Sequence, residues 1–409
     1  MHGDHVILTR LSRGLRRHRL PRGSARKKIL FVWEKFGPYH MDRCEACVQA
    51  LGAEYEILGI EIASHSVTYG WAPSGPGQHF AKRTLFPGKS NGDLSRWRYF
   101  AALFSAALGS RAEFVFLCGY QFPPVFFTAL LLRLMGRKLV VMQDSKFDDK
   151  PRRLLGEWLK VLLYSPYAAA FVGSRRSARY LSFLGFPSSR IFLGYDSLSV
   201  ERLQRLAQSA PAPAGVPHAQ RHFTIIARFV PEKNVSMAIR AHAAFLRLGG
   251  ARDLVLCGAG PLEPALRAEV RDLCNSRVRF CGYLQEEGIA KLLVTSLALI
   301  LPSLQEPFGL VVNEAIALGV PLLVSENCGA RDALVRSGVN GYVFEPDNVE
   351  GLAAMMRLLD GDAAEWARLA RNTRDFLPLA DTAYFVRGMA EIIAALSSRA
   401  PRHRDRTLP

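Results

Sequence analysis

The sequence predicts an α/β protein made of two doubly wound domains, each a parallel sheet with helices on both faces. Short apolar runs alternate with helix-period segments along almost the whole chain, the pattern of strands covered on both sides. The chain has 409 residues, 49% of them apolar, enough for two domains of ordinary size. A stretch from Ala207 to Gln220, with Pro211, Pro213 and Pro217, separates two sets of such runs.

In the first set the predicted strands are Lys28 to Trp33, Tyr55 to Ile60, Glu113 to Cys118, Lys138 to Met142, Ala168 to Gly173 and Ile191 to Leu193. Amphipathic stretches such as Arg43 to Leu51 and Leu154 to Leu163 lie between them as helices. The second set reads Phe223 to Ala227, Asp253 to Cys257, Val278 to Cys281, Ala298 to Leu301 and Pro321 to Val324. The expected division is a basic tail over 1–27, a first domain over 28–206, a linker over 207–221, a second domain over 222–380, a closing helix over 381–397 and a basic tail over 398–409. Two such domains on a short linker turn their carboxyl strand ends, where open parallel sheets bind ligands, toward a shared cleft.

Charge is unevenly placed. Of the net +17, residues 1–28 carry +8 and residues 397–409 carry +3, which leaves +6 for the body. Such tails hold few groups that could form a core, so they are expected to be solvated and attracted to anionic phospholipid, at about 1 kcal/mol per basic residue. Nucleic-acid binding, which a pI of 9.9 would otherwise suggest, is not expected, because the body lacks a basic strand set interleaved with aromatics. No apolar run reaches the roughly 18 residues of a membrane span, and the N-terminus has no signal-like apolar core. The seven cysteines, odd in number and mostly in apolar strand-like contexts, read as buried thiols of a reducing compartment. Cytoplasmic residence, with contact to the inner membrane face, is the expectation. Cys44 and Cys47 form a lone C-x-x-C and read as packing; Asp360-Gly361-Asp362 reads as a turn and helix cap rather than a metal site.

Chemistry concentrates in Glu306-Pro307-Phe308-Gly309-Leu310-Val311-Val312-Asn313-Glu314. Pro302 and Pro307 end any earlier element, and Gly309 to Gly319 reads as one helix with Ala315 and Leu318 on its buried side. Glu306 then falls in the preceding loop and Glu314 on the second turn, while the N–H groups of Phe308, Gly309 and Leu310 point outward, a site for phosphate. Carboxylates beside an anion site make sense when the ligand also brings hydroxyls to donate to them, as a nucleotide sugar does. Arg228 and Lys233, just after the first strand of the second set, can hold a diphosphate and offset the charge that grows on it as a sugar leaves.

The nonapeptide resembles the E-x7-E motif of retaining GT-B glycosyltransferases, the glycosyltransferase family 4 group. Its flanks are similar as well: Leu301-Pro302-Ser303 before it, Ala315 to Ser325 after it, then Ser337 to Tyr342 and Glu345-Pro346. The resemblance implies a GT-B fold, a closing helix that crosses back onto the first domain, and transfer of a hexose from a nucleotide-diphosphate sugar to a glycan, lipid-linked or small-molecule hydroxyl. It implies that Glu314 binds the ribose, that Glu306 lies near the sugar hydroxyls, and that Arg228 and Lys233 grip the phosphates. Gly258, in Gly258-Ala259-Gly260-Pro261, is expected to line the donor pocket, Tyr283 and Leu284 to meet the base, and Gly37 to approach the phosphates. Attack from the leaving group's own face, with that phosphate taking the acceptor proton, needs no metal and no further cofactor.

The match thins in the first domain. Gln143-Asp144-Ser145 stands where many relatives carry a histidine, so Asp144 and His40 are both candidate acids or bases. Gly329-Ala330 with Asp332 replaces a more usual Gly-Gly and later Glu near the sugar. The missing histidine also motivates a rival reading, a non-catalytic GT-B subunit that binds nucleotide sugar.

Overall fold

A computed structural model describes residues 26–66, 70–149 and 152–398. The expectations about the basic tails fall on residues 1–25 and 399–409 and lie outside the described residues. Among the described residues seven strands form the first sheet: β1 (Lys27–Trp33), β2 (Tyr55–His65), β3 (Ala81–Ser90), β4 (Phe114–Leu117), β5 (Lys138–Gln143), β6 (Ala169–Val172) and β7 (Ile191–Leu193). Six more form the second: β8 (His222–Ile226), β9 (Leu254–Cys257), β10 (Val278–Gly282), β11 (Ser296–Leu301), β12 (Leu322–Ser325) and β13 (Gly341–Phe344). The spatial orders are β3-β2-β1-β4-β5-β6-β7 and β10-β9-β8-β11-β12-β13, and the strands pair parallel throughout. The central strands are continuous apolar runs with both faces covered; Ile29, Leu30 and Phe31 of β1 are fully buried.

Two edge strands were not legible as strands. β3 is half-exposed, half polar and contains Pro87 and Gly88, a composition that survives at an edge because one side of the ladder goes unpaired. β13 is only four residues long, and its register on β12 makes it a strand. The segment expected as a linker is packed: Ala212 is buried in the second domain's core, its N–H donates to Leu318 O at 2.9 Å, and Arg221 sends its guanidinium to the carbonyls of Val216, Val294 and Ser296.

The closing helix, Thr382–Ser397, starts at Asp381, whose carboxylate accepts from Ala383 N–H at 2.9 Å. It lays Phe385, Met389 and Ile392 on Phe31 and Phe171 of the first sheet, so this helix shares that domain's core. Cys44 and Cys47 belong to the same cluster. Burial pushes both thiols up, and Cys47 Sγ lies 3.7 Å from Met389 Sδ, so the pair packs. Cys274 and Cys281 depart from the expectation of burial and are exposed. Among the described residues no helix is long and apolar enough to cross a membrane. The helix Leu154–Tyr164 forms where the periodicity predicts, but its apolar side faces outward.

Candidate active site

Strand order reverses direction between β1 and β4 in one sheet and between β8 and β11 in the other, and crevices open at such points. Here the two crevices merge into one interdomain cavity of about 410 Å³. Its second-domain wall begins where β8 ends. Phe229, buried, anchors the turn by donating its N–H to Ala259 O at 2.9 Å, which leaves Arg228 at the mouth. The Arg228 guanidinium is exposed and makes no hydrogen bond or ion pair among the described residues. A short turn, Pro231–Lys233, follows; Asn234 ends it with φ +52° and donates to Pro302 O and Pro346 O at 3.2 and 2.7 Å. That tie brings Lys233 against the loop after β11, where its Nζ lies 2.5 Å from Glu306 Oε2. The same oxygen accepts from Ser303 Oγ at 3.1 Å. Gly258 lines the cavity after β9 with φ +147°; a Cβ there would lie 1.8 Å from Ala227 O, so only glycine closes this turn.

The helix expected from Gly309 to Gly319 is shorter, Val311–Ala317. Gly309 has φ +99°, outside the right-handed region, and cannot begin a helix. Glu314 therefore sits in the first turn rather than the second. Phe308, Gly309 and Leu310 all border the cavity, the Phe308 ring being packed in the core beneath. The N–H groups of Gly309 and Leu310 donate to nothing among the described residues. Glu314 is 3% exposed and accepts from Tyr39 OH, on the other domain, at 2.5 Å. Burial, aided by the charge of Glu286, pushes its carboxyl up to about 7, against the opposing pull of the Tyr39 hydroxyl and Arg202. Tyr283, half-exposed, and Leu284 line the far end, with Tyr283 against Gly70.

The first-domain wall differs from the expectation at two residues. Gly37 does not line the cavity. It caps the helix Pro38–Leu51 and lies beneath Trp71, whose ring would be 2.5 Å from a Cβ at that position; Trp71 borders the cavity in its place. His40 is not placed for proton transfer there either. Its Nδ1 accepts from Gly37 N–H at 2.9 Å, its ring stacks on Trp33 with centroids 4.5 Å apart, and burial and Arg43 hold its pKa well below the ordinary imidazole range.

Asp144 does border the cavity, at the end of β5, and it is paired with Asp196, which follows β7. The two carboxyls meet over Gly173, where an added Cβ would lie 2.1 Å from Asp196 Oδ2 and 2.9 Å from Asp144 Oδ1. Burial, and then the neighbouring Asp196 carboxyl, raise Asp144 well above the usual carboxylate range. Arg43, 1% exposed, stands behind: its Nη2 is 3.2 Å from Asp196 Oδ1 and its Nε donates to Ser197 O at 3.0 Å. Two carboxyls crowded together favour retaining a proton, and a carboxyl so placed is able to donate to or accept from a bound hydroxyl.

Tyr39, Trp71 and Asp196 were not singled out in the sequence. Only Asp196, the first acid after the short strand β7, carried a positional signal. Asp332, expected near the sugar, instead ties the domains: Arg176 Nε lies 3.0 Å from its Oδ2. A second tie joins Arg202 to Asp42 and Glu286 at 2.6 and 3.0 Å. Asp360 pairs with Arg252 at 2.6 Å and Asp362 caps the next helix, so the D-x-D is structural.

The family model described as glycosyl transferases group 1 matches residues 208–376. The glycogen synthase of Mycobacterium tuberculosis is 36% identical over 153 residues, which is 37% of this chain and 37% of that one. The amylovoran biosynthesis glycosyltransferase AmsK of Erwinia amylovora is 28% identical over 240 residues, 56% of this chain and 57% of that one. The matches thus span between about a third and somewhat over half of these relatives' lengths. Among solved structures, Anabaena HepE in complex with UDP and glucose superposes with a TM-score of 0.67 at 16% identity, over 90% of this chain and 100% of that one. Sucrose-phosphate synthase from Thermosynechococcus elongatus gives 0.70 at 15%, over 91% and 99%. The two parallel sheets facing one cleft are the GT-B fold.

Proposed function

We propose that this chain, whose residues 208–376 match the family model of glycosyl transferases group 1, is a retaining glycosyltransferase that moves a hexose from a nucleotide-diphosphate sugar to a hydroxyl acceptor. One observation carries the reading. An unpaired guanidinium, Arg228, and an ammonium paired with a carboxylate, Lys233 with Glu306, face the same cavity from the ends of two adjacent strands at the point where strand order reverses. A diphosphate seated there receives Arg228 directly and competes with Glu306 for Lys233, so positive charge is in place where negative charge develops as the sugar departs.

Glu314 accepts from ribose hydroxyls, Glu306 from hydroxyls of the sugar, and the free N–H groups of Gly309 and Leu310 take phosphate oxygens. Gly258 lets the backbone come close to the phosphates, and Tyr283 with Leu284 packs on the base. Asp144, with Asp196, faces the acceptor side and holds the incoming hydroxyl. The two cations supply the charge compensation, so the proposed reaction runs without a bound metal. Acceptor and setting follow the relatives: AmsK is named for amylovoran biosynthesis, which supports a role in surface polysaccharide or glycolipid assembly. The basic tails are proposed to draw the chain to the inner face of the cell membrane.

The test is mass spectrometry of products from a panel of nucleotide sugars incubated with lipid extract and the wild-type chain or Lys233→Ala. Transfer by the wild type with loss in the variant is expected. Nucleotide-sugar binding by calorimetry with no transfer or hydrolysis across the panel would overturn the enzymatic reading.

A further inference from the structure

The helix Leu154–Tyr164 is turned inside out. Its polar residues face the protein: Lys160 Nζ donates to Glu157 Oε1 at 2.9 Å and to Tyr180 OH at 2.6 Å, and Arg152 Nη1 donates to the same hydroxyl at 2.9 Å. Its apolar residues face out. Leu154 is 90% exposed, Leu155 78% and Trp158 61%, and Leu159, Val161 and Leu162 are exposed beside them. A surface helix of a globular protein shows the reverse arrangement, and a contiguous apolar face of this kind marks an interaction site.

The patch continues onto neighbouring elements. Phe147 and Phe183 are both exposed, with ring centroids 5.5 Å apart, and Phe147 touches the Tyr180 ring that anchors the helix. Val161 also borders a second cavity of about 300 Å³, lined further by Tyr164, Tyr167, Leu184 and Phe186. At the rim, Arg153 and Arg179 are exposed and have no ion-pair partner among the described residues, while the helix's own acid, Glu157, is neutralised from within.

A second copy of this chain and an anionic bilayer are the two occupants to weigh. The net charge of +17 makes two copies repel, whereas the same charge and the unpaired rim arginines attract anionic lipid. Leucines and a tryptophan on one face, with cations at its border, is the make-up of a helix that lies in the plane of a membrane interface. We infer that Leu154–Tyr164 seats the protein on an anionic phospholipid bilayer, its apolar face entering the headgroup boundary while Arg153 and Arg179 meet lipid phosphates. This contact belongs to the folded first domain, is separate from the basic tails, and does not depend on the transfer reaction.

The experiment is co-sedimentation of the full chain with vesicles containing roughly 30% phosphatidylglycerol, at low salt and at about 0.5 M salt, where tail attraction is screened within a few ångströms. The Leu155→Glu, Leu159→Glu double variant is expected to partition at least about tenfold less than wild type at the higher salt, with an unchanged melting temperature. Trp158 emission should shift to the blue on vesicles, and the Trp158→Phe variant should lose that shift. Partitioning of the double variant within twofold of wild type at both salts would overturn the inference and leave the tails as the binding element. A wild-type dimer in sedimentation velocity that the double variant abolishes, with vesicle binding unchanged, would overturn it in favour of self-association.

Discussion

On the second-domain side of the cleft, Arg228, Lys233 and Glu306 project from loops that follow the adjacent strands β8 and β11, and the charges are exposed or paired with opposite charge. On the first-domain side, Asp144 and Asp196 project from loops after β5 and β7, which do not adjoin, and like charge faces like charge over Gly173 with Arg43 behind. One wall is a ready receptor for anions. The other sets two carboxyls side by side, which disfavours anions and favours hydroxyls, so a ligand with phosphate at one end and hydroxyls at the other has one orientation that satisfies both. Tyr39, donating to Glu314, joins the two walls by a hydrogen bond inside the cavity.

The contrast breaks most visibly at Lys233. Lys233→Ala removes one of two cations and leaves Glu306 without its counter-charge, so kcat/KM for sugar transfer is expected to fall by about 10²–10³, on the order of 3–4 kcal/mol. A fall of less than threefold in a steady-state assay would mean that this wall does not handle the departing diphosphate.

Glu314→Gln tests the junction, and its sign depends on pH. The native carboxyl titrates at about 7 and an ordinary one at 4.5, so its stabilisation is full below about 4.5 and is lost as pH rises through about 7. At pH 8 the wild type has forfeited up to about 3 kcal/mol that the amide keeps. Calorimetric melting should therefore show the variant higher than wild type at pH 8 and level with it at pH 4, while titration of UDP or GDP at pH 8 should show weaker binding by the variant. Equal nucleotide affinity would remove Glu314 from the ribose role.

Gly173→Ala sharpens the first-domain half. The added methyl must displace both carboxyls, at a cost of about 1–3 kcal/mol, seen as a melting temperature lower by several degrees. An unchanged melt would show that the two acids separate freely. The smallest effect is expected at Arg176→Ala, which cuts a partly exposed interdomain pair with Asp332: at most about 1 kcal/mol, shrinking further in high salt.

The two walls were also unequally legible. Glu306 to Glu314 and Arg228 to Lys233 are contiguous segments, so their residues stand at fixed spacing in the chain and the fold only has to aim them. Even there the local geometry ran past the pattern: a glycine at φ +99° delays the helix to Val311, which no periodicity distinguishes from a helix beginning at Gly309. The opposite wall takes Tyr39, Trp71, Asp144 and Asp196 from four separate segments. His40 and Gly37, which looked suited to it, are consumed by a helix start and by Trp71.

What the sequence determined by itself was the alternation of apolar runs and helix-period stretches, hence parallel sheets, two domains and a cleft, because those signals report which residues a local element must bury. Tertiary structure alone decided which distant segments meet. It placed Asp144 beside Asp196, laid Phe385 and Met389 on the first sheet, made edge strands of Ala81–Ser90 and Gly341–Phe344, and turned the apolar side of Leu154–Tyr164 outward. Periodicity shows that a helix has two faces. Which face meets water depends on the partner each finds, and here Glu157 and Lys160 found Tyr180 and Arg152 inside the protein.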